Sequence, residues 1–266
     1  MQLREVLARA IAGGVLAVAI SFVARRAHSL TMSGAIAAAI VGTLAIAAGW
    51  SWGLLLCSFF VTASALSRLG ARRKTELVGS VTQKGGERDA IQVLSNGGVF
   101  AVSALGYLLL PSPIWFASGI GALAASTADT WATEVGALSG GEPVSIISGE
   151  KVAPGTSGGV TLIGTVAGAA GALFIAAGAA LANWPVPFAA VALGGIAGAL
   201  ADSFLGATVQ ARRWCDPCER STERLVHSCG TPTRHAGGIA RLDNDAVNAV
   251  CSGVGALVAL LLSSTR

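Results

Sequence analysis

Eight apolar runs separated by more polar stretches leave this chain few ways to fold. They lie at about residues 6–24, 32–49, 52–66, 92–110, 114–138, 160–182, 186–210 and 246–262. A helix crosses the hydrocarbon core of a bilayer in about 20 residues. In lipid every backbone N–H and C=O must be satisfied within its own segment. The runs therefore predict an all-α fold: a polytopic membrane helix bundle of about eight transmembrane helices, one transmembrane domain over residues 1–266. The third run is short, so seven spans plus a re-entrant piece is the alternative. Only 12% of the residues are charged, about half the share found in soluble domains. The 35 glycines suit close helix approach, since bulky apolar groups gain nothing from association in lipid. Such surfaces would also serve a homodimer. The first run is read as a retained helix, because Arg25 and Arg26 follow it and no clear cleavage site does.

Charge sets the expected orientation. With eight spans, residues 25–31, 67–91, 139–159 and 211–245 fall on one side and hold 15 of the 18 Lys and Arg. Arg4, Arg9 and Arg266 fall on the other. The positive-inside rule puts the long loops in the cytoplasm and both termini outside. The chain is thus expected in the inner (plasma) membrane, with its working face cytoplasmic. Trp50, Trp52, Trp115 and Trp184 fall at the outer level, where an aromatic belt is expected.

The polar residues inside the runs are few and concentrated. ASTADTWATEVG at 125–136 holds Asp129 and Glu134 with Ser126, Thr127, Thr130 and Thr133. An acid near the bilayer centre costs about 2.5–3.5 kcal/mol on insertion scales, so intramembrane acids point to function. Ser126, Asp129, Thr130, Thr133 and Glu134 recur at helical spacing and read as one polar stripe. The seventh run adds Asp202, Ser203 and Gln210 after a glycine-rich stretch including Gly195 and Gly198. The fourth begins with Gln92 and Asn96, and the eighth with Asp243, Asn244, Asp245 and Asn248. All fall near the cytoplasmic level, and the outer half receives almost no polar groups. A transporter would need polar groups through both halves, so an enzyme at the cytoplasmic interface is the better reading. Asp129, Glu134 and Asp202 are the expected Mg²⁺ ligands and catalytic groups, because hard cations take oxygen donors.

Two loops are expected to cradle phosphate. One offers Lys84, Gly85, Gly86 and Arg88. The other, Gly155, Thr156, Ser157 and Gly158, precedes the sixth helix, whose N-terminus favours anions. Glycine lets a phosphate approach the backbone closely. Neither loop matches the Walker pattern. The loop at 211–245 holds Cys215-Asp-Pro-Cys218 and His227-Ser-Cys229. In a reducing compartment CxxC favours metal over disulfide. Cys215, Cys218, His227 and Cys229 form a candidate Cys₃His zinc site, with His235 as an alternative fourth ligand. Cys57 and Cys251 lie in apolar runs and read as inert core residues.

TQKGGERDAIQVLSNGG, ASTADTWATEVG, PGTSGGVTLIGTVAG, GALADSFLGATVQ, CDPC with HSCGTPT, and LDNDAVN together resemble the integral-membrane family that contains plant phytyl-phosphate kinase. The six blocks occur in order across most of residues 80–250. The family is distantly similar to CTP-dependent polyprenol kinases and to CDP-lipid synthases. The resemblance implies phosphoryl transfer from a nucleoside triphosphate, CTP favoured, to an isoprenyl monophosphate of phytyl or geranylgeranyl type, giving the diphosphate. It implies a prenyl-phosphate lipid and a nucleotide as partners, and no nucleic acid. Under it Lys84 and Arg88 contact the triphosphate, while Asn96, Asn244, Asp245 and Asn248 position donor or acceptor. The rival expectations are a CTP-dependent cytidylyltransferase making a CDP-lipid, and a lipid or small-molecule transporter.

Overall fold

The computed structural model describes residues 3–78, 81 and 86–264. Among the described residues, eight long helices build the bundle: α1 (Leu3–Arg26), α2 (Met32–Ala48), α3 (Trp50–Arg68), α5 (Ala90–Leu109), α6 (Pro113–Ser139), α7 (Leu162–Leu181), α8 (Phe188–Thr208) and α9 (Asn244–Ser263). They coincide with the eight expected spans. A short ninth helix, α4 (Ala71–Val78), was not anticipated. Six of the long helices are long and apolar enough to cross a membrane among the described residues. The other two are α2, with 17 residues, and α6, whose 27 residues include the polar stripe. The third span is a full 19-residue helix, so no re-entrant piece is needed. The protein is a polytopic helical membrane protein. Leu7, Ile11, Val15 and Val18 of α1 are exposed, as lipid-facing side chains should be.

Among the described residues, strands occur only in the connections. β1 (Val144–Ser145) pairs antiparallel with β2 (Gly159–Val160). β3 (Arg212–Cys215), β4 (Arg220–Thr222) and β5 (Arg234–Gly237) form a small antiparallel sheet in the order β4-β3-β5.

Local sequence explains where the helices start. Asp89 and Gln92 form a reciprocal capping box at α5, satisfying two otherwise orphaned donors. Thr31, Thr161 and Asp243 accept from backbone N–H groups at the starts of α2, α7 and α9. Pro113 opens α6, where its missing N–H costs nothing.

Glycine sets the packing. A Cβ at Gly255 of α9 would lie 2.5 Å from Ala125 Cβ and 2.5 Å from Gly121 O of α6. One at Gly198 of α8 would meet Ala125 Cβ at 2.4 Å and Cys251 O at 2.7 Å. On α7, Gly168 and Gly171 lie directly against the α6 carbonyls of Ala128 and Thr127. Helices α6, α7, α8 and α9 thus approach nearly backbone to backbone around residues 121–136, which holds Asp129 in place. Gly255→Leu has no room on either side. It is expected to destabilise by about 1–3 kcal/mol or more, read as a lower unfolding midpoint in detergent. An unchanged midpoint would mean the seam is looser than these distances state.

The end of the bundle opposite Asp129 is filled with rings. Trp52 packs on Phe100, Tyr107, Phe116 and Trp184 with ring centroids 4.6 to 6.0 Å apart. Trp52 and Trp184 are buried at 1% and 7% exposure, so they are core residues rather than parts of an aromatic belt. Trp184 Nε1 donates to Ser51 Oγ at 3.0 Å. This satisfies the one polar atom of a ring otherwise suited to the core.

Candidate functional site

A polar cavity of about 370 Å³ opens between the C-terminal halves of α6 and α8 and the start of α7. That volume falls within the usual range of ligand pockets. Asp129 reaches it from α6, Asp202 and Ser203 from α8, Asn244 and Asp245 from the start of α9, and Gln92 from α5. Residues 154–159 form one wall. The carboxyl groups of Asp129 and Asp202 lie within hydrogen-bonding reach of each other. Oδ2 of Asp202 is buried without a hydrogen-bond partner. The glycine seams explain the convergence, because Gly195 and Gly198 let α8 sit on Ala124 and Ala125, one turn before Asp129.

The glycine loop is seated by its own composition. Gly158 has φ +77° and faces Ala207 of α8, where a Cβ would come within 2.4 Å. Gly206 packs against Gly158 and Ser157 in return. The loop does not run straight into the helix as expected. β2 intervenes, and Thr161 Oγ1 accepts from Gly164 N at 3.0 Å to cap α7. The cradle is therefore held against α8 rather than at the tip of α7.

One wall residue was missed by sequence reading. Glu223, just after β4, lines the cavity. Its Oε1 accepts from Ser157 Oγ and from Gln210 Nε2, the latter at 2.9 Å. Its backbone N–H donates to Val81 O at 2.9 Å. In sequence it looks like an ordinary loop charge between Thr222 and Arg224.

The expected stripe on α6 splits in two. Glu134 follows Asp129 by five residues, which is about 140° around a helix of 100° per residue. It faces α3 and α4 instead of the cavity. Lys74 Nζ donates to Glu134 Oε2 and Ser67 Oγ donates to Oε1. Lys74 Nζ also donates to Leu66 O at 2.7 Å. Glu134 is thus a partner of α4 and not a neighbour of Asp129.

Arg88 belongs to that second cluster. Its guanidinium donates to Ser64 Oγ at 3.2 Å and Ser67 Oγ at 2.9 Å. Burial draws its pKa down from the usual arginine value, while the Glu134 charge acts in the opposite sense. The Arg88 backbone pairs with the α1–α2 connection, Thr31 N donating to its carbonyl at 3.0 Å. Gly34 makes room for that carbonyl, which a Cβ would meet at 2.0 Å. Lys84 and Gly85 lie outside the described residues. Gly86 is described, at φ +88°, and does not line the cavity.

Asn96 also faces elsewhere. Its Nδ2 donates to Gln92 O at 3.0 Å. It lines a second, mostly apolar cavity of about 100 Å³ among α1, α2, α3 and α5. Arg88, Gln92 and Thr130 border that cavity too. Gln92 is therefore shared by the two. Asn248 lies one turn beyond Asn244 on α9 and does not line the polar cavity.

Below the cavity, Cys215, Cys218, His227 and Cys229 come together, their candidate ligand atoms all within 4.8 Å of one another. Hydrogen bonding from Thr231 and His227 pulls the Cys229 thiol down to about 5. Sharing a hydrogen bond with Cys229 pushes Cys218 up to about 11. His235 sits on β5 opposite Arg213 and is not part of the cluster.

A family model described as "Integral membrane protein DUF92" matches residues 15–256. Protein PGR of Arabidopsis thaliana is 31% identical over 91% of this chain and 92% of its own length. An uncharacterized membrane protein of Methanocaldococcus jannaschii is 31% identical over 78% of this chain and 86% of its own. An uncharacterized membrane protein of a Synechocystis species is 32% identical over 66% and 69%. No solved structure matches the chain.

Proposed function

The chain belongs to the integral membrane protein DUF92 family, and from its acid-lined cavity we propose that it moves a phosphoryl group from a nucleoside triphosphate to an isoprenyl monophosphate. The observation that carries this reading is the charge of the cavity. Asp129, Asp202, Glu223 and Asp245 line it, and no Lys, Arg or His does among the described residues. A polyphosphate cannot enter such a cavity alone, but it can enter with divalent cations. The donors are all oxygens and Asp202 Oδ2 is buried and unpartnered, which fits a hard ion such as Mg²⁺. Asp129 and Asp202 would hold it, with Asp245 beside them. Bound there, Mg²⁺ supplies the positive charge that phosphoryl transfer requires.

The chain's own residues do the positioning. Thr156 and Ser157 sit on the glycine wall facing the phosphates, and Glu223 fixes Ser157 through its hydroxyl. Asn244 and Gln92 supply amides at the cavity edge. The apolar cavity bordered by Gln92 would seat the head-proximal part of the prenyl chain, with the remainder in lipid. An oxygen of the prenyl phosphate, already anionic, attacks the γ-phosphorus. The bond from that phosphorus to the bridging oxygen breaks, and the nucleoside diphosphate leaves. No side chain has to remove a proton. The charge bias supports a cytoplasmic position for this end, where the nucleotide is. The aromatic plug at the other end disfavours a transporter.

Incubating the purified protein with CTP, ATP, GTP or UTP against farnesyl, geranylgeranyl and phytyl monophosphates tests the reading. Diphosphate formation with any prenyl acceptor supports it. Release of pyrophosphate with a CDP-lipid product would make the protein a cytidylyltransferase instead. Ser157→Ala removes a hydrogen bond to a charged group and Glu223→Gln removes the charge from that bond, which is worth about 1.5–3 kcal/mol. Each is expected to raise KM for the nucleotide about tenfold or more, with a smaller change in kcat. An unchanged KM in both would remove the loop from the binding site.

A further inference from the structure

The loop beneath the cavity is built as a metal site. Cys215 ends β3 fully buried, and Cys218 lies on the turn that leads to β4. His227, buried at 6% exposure, and Cys229 lie on a second turn. That turn is closed by Gly230 N donating to His227 O at 2.9 Å, with Gly230 at φ +85°. The two turns thus present two ligands each to one point. Cys215 Sγ and Cys229 Sγ are 3.6 Å apart, and His227 Nδ1 is 3.3 Å from Cys229 Sγ. Tetrahedral zinc, with Zn–S about 2.3 Å and Zn–N about 2.0–2.1 Å, sets S···S near 3.8 Å and S···N near 3.5 Å. A disulfide would bring two sulfurs to about 2.05 Å. All of these cysteines are free, and the His227 Nε2 atom is buried without a partner.

We propose that Cys215, Cys218, His227 and Cys229 bind one zinc ion in a closed, structural Cys₃His site. Four protein ligands leave no open position, so the ion does no chemistry of its own. Its task follows from what lies between the two turns. Strand β4 connects them, and Thr222 and Glu223 at its end hold Val81 O and the cavity wall. The zinc ion fastens both flanks of β4 and so keeps Glu223 against Ser157 and Gln210. This inference goes beyond the catalytic reading, because zinc content is measured without any substrate.

The test uses full-length protein purified in detergent without a metal-affinity tag. Inductively coupled plasma mass spectrometry is expected to find about one zinc per chain. The Cys215→Ser/Cys218→Ser double variant is expected to lose that zinc roughly tenfold. Cys57→Ser/Cys251→Ser, which changes only helix cysteines, is expected to keep it. Should the first variant fail to fold, wild-type protein stripped by a chelator and given Co²⁺ reads the same site. It is expected to show the visible bands and thiolate charge-transfer absorption of tetrahedral cobalt. Zinc-free wild-type protein that also fails to develop the cobalt spectrum would overturn the proposal. So would full zinc retention in the Cys215→Ser/Cys218→Ser variant.

Discussion

Asp202→Asn and Asp129→Asn are each expected to lower phosphoryl transfer by about 10³-fold, comparable to losing a principal electrostatic element of an active site. Both are expected to leave the protein folded. The two carboxyl groups lie within reach of each other in a wall that also holds Glu223 and Asp245. Asn keeps the shape of Asp and removes one of several crowded charges. Stability is therefore expected to hold or rise while activity falls, the reverse of what a structural acid would give. Mg²⁺ titration of activity, with unfolding midpoints beside it, separates the two. Wild-type turnover in both variants would remove these acids from the chemistry.

Glu134→Gln is expected to do the opposite. The carboxylate accepts from both Lys74 and Ser67, and Arg88 lies close enough to feel its charge. Neutralising it leaves Lys74 and Arg88 without their counter-charge. Breaking one side of a buried pair costs about 3–5 kcal/mol. The Glu134 side chain is 22% exposed and Lys74 9%, so the loss should fall near 3 kcal/mol, at the lower end of that range. The protein that remains folded is expected to keep kcat within a few-fold. Lys74→Met added to Glu134→Gln should recover part of the loss, because the orphaned ammonium is then gone. A Glu134→Gln protein of normal stability and no activity would return Glu134 to the catalytic site.

The contrast between these acids marks where the sequence could be read and where it could not. Eight apolar runs determine eight helices, since lipid leaves the backbone no other way to satisfy its hydrogen bonds. Asp129 and Asp202 were legible for a related reason: an acid in an apolar helix needs an explanation. Their meeting was partly legible in Gly195 and Gly198. Glu134 was not legible, because its fate depends on Lys74 in α4, a helix of eight residues that no apolar run announces. The helical stripe of 126–134 was real as a count of polar positions, yet it spreads over about 140° of the helix circumference, and its two edges serve two clusters.

Glu223 was hidden by the opposite effect. Charged loop residues are normally solvated, and only the path of β4 under the cavity turns this one inward. Arg88 shows the same limit: a basic residue near glycines looked like a phosphate ligand, but its guanidinium is used by Ser64 and Ser67. The Cys and His spacing was more informative. CxxC followed by HxC restricts geometry strongly, and the fold brings those four residues together while leaving His235 on its strand.

The most direct measurement is label transfer by the purified protein in detergent or nanodiscs, with prenyl monophosphate, Mg²⁺ and CTP labelled at either the α- or the γ-phosphate. The expected result is that γ-label appears in prenyl diphosphate, α-label stays in CDP, and the Asp202→Asn protein gives neither product. Appearance of α-label in the lipid, or γ-label transfer undiminished in Asp202→Asn, would contradict it.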